Sequence, residues 1–214
     1  MTPDLVLFDC DGVLVDSEPA SNAVLLEDMR AFGLDLTLEE CMGLFTGGTF
    51  KSAGEEARRR GAAVPDDWAK GFYPRLYATL AKGVPLIPGA IELIDSIEAA
   101  GIATGIVSNG AKEKMEITLG PHGLMDRFEG RIFSAYDYGV SKPDPELVCI
   151  AVRHFNIDPQ RTVFVDDSVS GCRAGHAAGM YTIGFSATTP AEKLSDYCQV
   201  CVSTMSEIEP HLGL

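Results

Sequence analysis

Apolar positions cluster along this chain in two rhythms. Short unbroken runs at residues 5–8, 102–107 and 162–165 contain only Leu, Val, Ile, Phe, Ala, Thr and Gly. They lack the apolar–polar alternation of a half-exposed strand, so they predict strands covered on both faces. Weaker runs of the same kind lie at 131–133 and 180–185. Between them the spacing becomes helical. Ile91, Leu93, Ile94 and Ile97 follow Pro88-Gly89 and stop before Gly101. Leu147, Ile150, Ala151 and His154 follow Pro143-Asp144-Pro145, and proline is well tolerated in a first helical turn. Strands alternating with helices predict an α/β fold, a parallel sheet with helices on both faces and right-handed crossovers.

Residues 17–85 break this alternation. They carry helical patterns at 20–32, 38–45, 50–60 and 67–82 and no strand signal. A block of this length is more than a crossover. It reads as a helical bundle inserted after the first strand, which divides the chain into a core, 1–16 with 86–214, and an inserted domain, 17–85. Its exits, at 15–18 and 82–88, are the expected hinges. Gly47-Gly48 is expected to form a flexible loop that reaches back over the sheet edge.

Charge narrows the partners. With 17 basic against 31 acidic residues, the formal net charge is −14, which argues against binding a nucleic-acid backbone. A small anionic ligand remains compatible, because a metal and a few cations reverse the field inside a cleft. Cys198 and Cys201 form a C-x-x-C, but no second pair or spaced histidine accompanies them, so zinc and thiol-redox chemistry are set aside. The start of the chain has no basic n-region, and no apolar run reaches the length of a membrane span. A cytoplasmic protein with reduced thiols is expected, without membrane partners. The sequence sets no oligomeric state and is compatible with a monomer.

The polar residues then fall in one place. Asp9 and Asp11 follow the first strand, Ser108 and Asn109 the second, Asp166, Asp167 and Ser168 the third long run, and Lys142 the weak run at 131–133 after a short loop. In an open α/β sheet, ligands bind outside the carboxyl ends of the strands, so four segments are expected to converge. Crowded carboxylates raise one another's pKa unless a cation neutralises them, and Mg²⁺ prefers such hard oxygen donors. Gly12 lets the backbone turn sharply after them. Together these groups suit phosphoryl transfer, where catalysis is largely positioning and charge stabilisation. Asp9 is the expected nucleophile, and Asp11 the acid and base. Lys142, Ser108 and the following amides are expected to hold the phosphate, and Asp9, Asp11 and Asp167 the metal.

The strings Asp9-Cys10-Asp11-Gly12-Val13, Ser108-Asn109-Gly110, Lys142-Pro143-Asp144-Pro145 and Val165-Asp166-Asp167-Ser168 resemble, in order, the four motifs of the haloacid dehalogenase superfamily. The resemblance implies a Rossmann-like parallel-sheet core with an inserted α-helical cap domain, Mg²⁺ dependence and an aspartyl-phosphate intermediate. It adds Asp166 beside Asp167 at the metal and gives the Asp11 carbonyl a place on it. Within the superfamily the chain resembles the β-phosphoglucomutase-like phosphatases, and among them bacterial phosphatases of 6-phosphogluconate and related sugar phosphates. Ser21 stands where the mutases carry a histidine, and Phe50 near the place of their substrate-gripping arginine. Glu18, Gly47, Gly48, Phe50 and Lys51, with Ser108, Asn109 and Lys142, are the expected substrate contacts. A phosphomutase and a non-catalytic regulator that binds phosphorylated metabolites are the alternatives.

Overall fold

The computed structural model describes residues 2–45 and 50–214, apart from the side chain of Lys51. The chain divides into two compact units, Met1–Asp16 with Pro85–Leu214, and Ser17–Val84.

In the first unit six parallel strands form one sheet: β1 (Leu5–Phe8), β2 (Ala103–Ser108), β3 (Ile132–Ser134), β4 (Thr162–Asp166), β5 (Tyr181–Phe185) and β6 (Val200–Val202), in the order β3-β2-β1-β4-β5-β6. Every residue of β1 and β4 is buried. On one face Leu5, Leu7, Val107, Phe133 and Phe164 pack with Leu147, Val148, Ala151 and Val152 of helix Glu146–Phe155 and Ala174 of helix Val169–Ala177. Val6, Phe8, Ile106 and Val165 have the opposite parity and are equally buried, so the second face is covered too. This is the parallel α/β architecture expected from the unbroken apolar runs, and the Rossmann-like core that the resemblance implies. The chain leaving β1 and the chain returning to the sheet are pinned together. The Asp16 N–H donates to the Pro85 carbonyl at 2.9 Å, and the Ile87 N–H to Leu14 at 3.0 Å.

The second unit consists of helices Glu18–Ala31, Leu38–Phe45, Phe50–Arg59 and Trp68–Leu80. Pro19 sits in the first turn of the first helix, where its missing N–H leaves no bond unmade. The core is largely aromatic. The rings of Phe32, Trp68, Phe72 and Phe50 follow one another at 6.4, 4.8 and 4.5 Å. A buried carboxylate, Asp28, is satisfied by Trp68 Nε1 at 2.6 Å and by the Arg75 guanidinium, as burial of a charge demands.

The structure departs from the sequence pattern at several strands. β2 and β4 each end one residue later than expected, on Ser108 and Asp166 themselves. β6 was not expected at all: its three residues form an edge strand too short for any period. A four-residue helix, Ala135–Tyr138, lies in the link between β3 and Lys142. No helix among the described residues is long and apolar enough to cross a membrane.

Candidate active site

Strand order places the site. The chain lays down β2 and β3 on one side of β1, then β4, β5 and β6 on the other. The order therefore reverses between β1 and β4, and the crevice at the carboxyl ends there is the natural binding place. Asp9 directly follows β1, its N–H donating to the Val165 carbonyl at 2.9 Å, and Asp166 ends β4.

Lys142 joins the two. Its Nζ donates to Asp9 Oδ1 and Asp166 Oδ2, both at 2.7 Å, and to the Val107 carbonyl at 3.1 Å. The Lys142 side chain is 3% exposed. Burial alone would favour the neutral amine, but Asp166 and Asp9 outweigh it and raise the pKa above the usual lysine range. The group is a fixed ammonium. Asp9 moves the other way for a carboxylate: burial, reinforced by Asp166 and Asp11 and opposed by Lys142, drives its pKa up to about 7.

Two glycines let the carboxylates approach. Gly12 has φ +79°, and a Cβ there would overlap the Asp167 carboxylate. A Cβ on Gly171 would overlap that of Asp166. Asp166 Oδ1 accepts the Ser168 N–H at 2.9 Å and the Ser168 hydroxyl at 2.7 Å. Ser168 in turn caps helix Val169–Ala177 by accepting the Gly171 N–H at 3.0 Å. Oxygen atoms of the buried Asp9, Asp166 and Asp167 all lie within 4.8 Å of one another. Asp9 and Asp166 share the single ammonium of Lys142, and burial pushes Asp9 towards its neutral form. A hard divalent cation fits this donor set, because it would offset the excess negative charge and accept oxygen ligands.

The carboxyl end of β2 supplies the polar turn. Ser108 Oγ accepts the Gly110 N–H at 2.9 Å, and Ser134 Oγ donates to the Gly110 carbonyl at 2.8 Å. The Asn109 amide is taken up by the backbone of Lys142. Nδ2 donates to its carbonyl at 3.0 Å, and Oδ1 accepts its N–H at 2.8 Å. These two bonds fix the segment that carries Lys142. Asp11 Oδ1 accepts from Lys114 Nζ at 2.7 Å.

Asp9, Asp11, Ser108, Lys142, Asp166 and Asp167 thus gather at one end of the sheet. The remaining expected contacts lie in the helical unit. Glu18 opens helix Glu18–Ala31, and Phe50 packs on Phe72 and Tyr73, at 4.5 and 5.7 Å. Gly47, Gly48 and the Lys51 side chain fall outside the described residues. Sequence reasoning missed Lys114, Ser134 and Gly171. It placed Ser168 beside the acidic pair but gave it no role, although a serine just ahead of a helix is a capping signal.

Residues 3–179 match the family model described as haloacid dehalogenase-like hydrolase. The chain belongs to the haloacid dehalogenase-like hydrolases. It is 32% identical over 186 residues, 86% of this chain and 83% of the relative, to the 6-phosphogluconate phosphatase of Escherichia coli K12. A conserved haloacid dehalogenase-like protein from Agrobacterium tumefaciens superposes with a TM-score of 0.89 at 29% identity, covering 98% of this chain and 97% of that one. A family hydrolase from Deinococcus radiodurans R1, whose crystal structure holds phosphate and sodium, gives 0.83 at 31% identity, with 98% and 95% covered. The four-motif resemblance is therefore a family relationship, and this member of the dehalogenase-like hydrolases is a phosphatase.

Proposed function

We propose that the protein is a Mg²⁺-dependent phosphatase of small phosphorylated metabolites, sugar or sugar-acid phosphates such as 6-phosphogluconate, working through an aspartyl phosphate on Asp9. The buried Asp9–Lys142–Asp166 cluster, with Asp11 two residues on, is the observation that carries it. Asp9 attacks phosphorus, an Oδ–P bond forms and the ester P–O bond breaks. Asp11 gives its proton to the departing alkoxide, then takes one from the water that attacks the phosphoenzyme, releasing phosphate and restoring both side chains. Lys142, Ser108 and the turn amides offset the charge spread over the phosphoryl oxygens. Mg²⁺ would be held by Asp9, Asp166, Asp167 and the Asp11 carbonyl, and would supply electrostatic stabilisation of that charge.

The helical unit is the proposed cap, and Glu18, Gly47, Gly48, Phe50 and Lys51 are the proposed contacts to the leaving group. The likeness to the E. coli 6-phosphogluconate phosphatase over most of both chains supports a sugar-acid substrate. At the position of the mutase histidine, Ser21 Oγ donates to the Ser17 carbonyl at 2.9 Å, a bond within its own helix, which favours hydrolysis over isomerisation. Phosphate release from a panel of sugar phosphates tests the reading. Turnover is expected for at least one of them, lost on adding EDTA and regained with Mg²⁺, and lost in Asp9→Asn. Unchanged turnover by Asp9→Asn would overturn it.

A further inference from the structure

Lys114 has no part in the four motifs, yet its ammonium is the partner of the residue that the proposed reaction uses twice. Its Nζ lies 2.7 Å from Asp11 Oδ1, and the lysine side chain is only 16% exposed. It stands on helix Lys112–Leu119, which begins just past the Ser108-Asn109-Gly110 turn. The other oxygen faces that turn. Around the point where a Cβ on Gly110 would sit, Ser108 Oγ lies at 3.2 Å, Asp11 Oδ2 at 3.6 Å and Lys114 Cδ at 3.8 Å. One oxygen of Asp11 is thus tied back by an ammonium, while the other lies on the side of the turn whose Ser108 hydroxyl is proposed to receive phosphate.

We infer that Lys114 is a positioning residue for proton transfer: by holding Oδ1 it aims Oδ2 of Asp11 at the ester oxygen of the bound substrate. The inference rests on the phosphatase reading with Asp11 as proton donor. The proton leaves from Oδ2 to the alkoxide as the P–O bond breaks and the Asp9–P bond forms. Asp11 is then an anion paired with Lys114, ready to take the proton of the attacking water through the same oxygen. Lys114 keeps its own protons throughout. Without it, the carboxylate rotates and the donor oxygen is misplaced.

The consequence is a dependence on leaving group. An alkoxide departs only with a proton, whereas nitrophenolate departs as a stable anion. The comparison is kcat/KM of Lys114→Met on 6-phosphogluconate and glucose 6-phosphate, which are primary-alkyl phosphates, against p-nitrophenyl phosphate. This ratio reports the steps up to loss of the alcohol. The expected result is a fall of about tenfold or more on the alkyl esters, carried by kcat, within the range that acid catalysis spans. The value on the nitrophenyl ester should change by less than about twofold, since no acid catalysis is lost there. An equal fall on all substrates, or none, overturns the inference. Should Lys114→Met not fold, Lys114→Gln, which keeps a polar tip without the charge, carries the same comparison. Asp11→Asn separates the two levels. A loss selective for alkyl esters in Asp11→Asn but not in Lys114→Met removes only Lys114's role. Its absence in both removes Asp11 as the acid, and with it this inference.

Discussion

Buried Asp9 and Asp166 share the buried Lys142 ammonium, with buried Asp167 beside them. Lys142→Met would leave Asp9 and Asp166 facing each other without the charge that binds them. Removing one partner of a buried ion pair costs about 3–5 kcal/mol, so thermal unfolding of the metal-free variant should show a loss of that size, together with loss of turnover. Gly171 answers a steric demand rather than an electrostatic one. Gly171→Ala places a methyl in the Asp166 carboxylate, which should lower stability by about 1–3 kcal/mol and reduce activity. A variant as stable and active as the parent would show that the carboxylate can move aside. At this scale the sequence was legible where a charged residue ends a strand or closely follows it, as at Asp9, Asp11, Asp166 and Asp167. Lys114 was not legible, since its partner lies 103 residues earlier and only the pairing of β1 with β2 brings them together. The structural use of Asn109 was hidden for a related reason: its type suits a ligand contact, and only the fold reveals that its amide binds the Lys142 backbone.

Among elements, an unbroken apolar run was a sufficient signal where both faces are covered, as in β1 and β4. It failed for β6, whose three residues pair only with β5 at the sheet edge. Helix Ala90–Ala99 is held by a side-chain network. Arg127 reaches Glu98 Oε2 at 2.8 Å and Asp95 at 2.6 Å, and Thr104 donates to Glu98 Oε1 at 2.9 Å. Burial raises the pKa of Glu98, but the bonds from Arg127 and Thr104 outweigh it and hold the carboxyl below its usual value of 4.5. A carboxylate with a depressed folded pKa stabilises above its unfolded value and loses that contribution as pH falls through the folded one. Glu98→Gln should therefore be less stable than the parent at pH 7, by under about 1 kcal/mol because the group is part-exposed. The two melting curves should converge below about pH 4. A gap that persists in acid would mean that packing, not charge, holds the helix. Gly71 offers the opposite sign. It lies exposed within helix Trp68–Leu80 with nothing within 4 Å of a Cβ placed there, so Gly71→Ala should raise stability by about 0.5–1 kcal/mol.

For the molecule as a whole, the proposed chemistry and the proposed selectivity belong to different parts of the chain. The core unit supplies the carboxylates, the lysine and the turn proposed to bind phosphate. The helical unit carries the residues proposed to meet the leaving group. The core could be read because phosphoryl chemistry demands fixed residue types in a fixed order. Selectivity depends on shape and a few side chains, which leave no periodic trace, so the residues of the helical unit were placed by loop position and resemblance. Phe50→Ala and Lys51→Ala are expected to change the ranking of sugar phosphates by kcat/KM, and an unaltered ranking would remove them from the substrate contacts. The most direct measurement is a rapid acid quench during turnover, with peptide mass analysis for one added phosphoryl group. That group should appear on the peptide holding Asp9 and be absent in Asp9→Asn. Full turnover with no phosphoryl group on that residue, or with the group on another, would contradict a covalent role for Asp9.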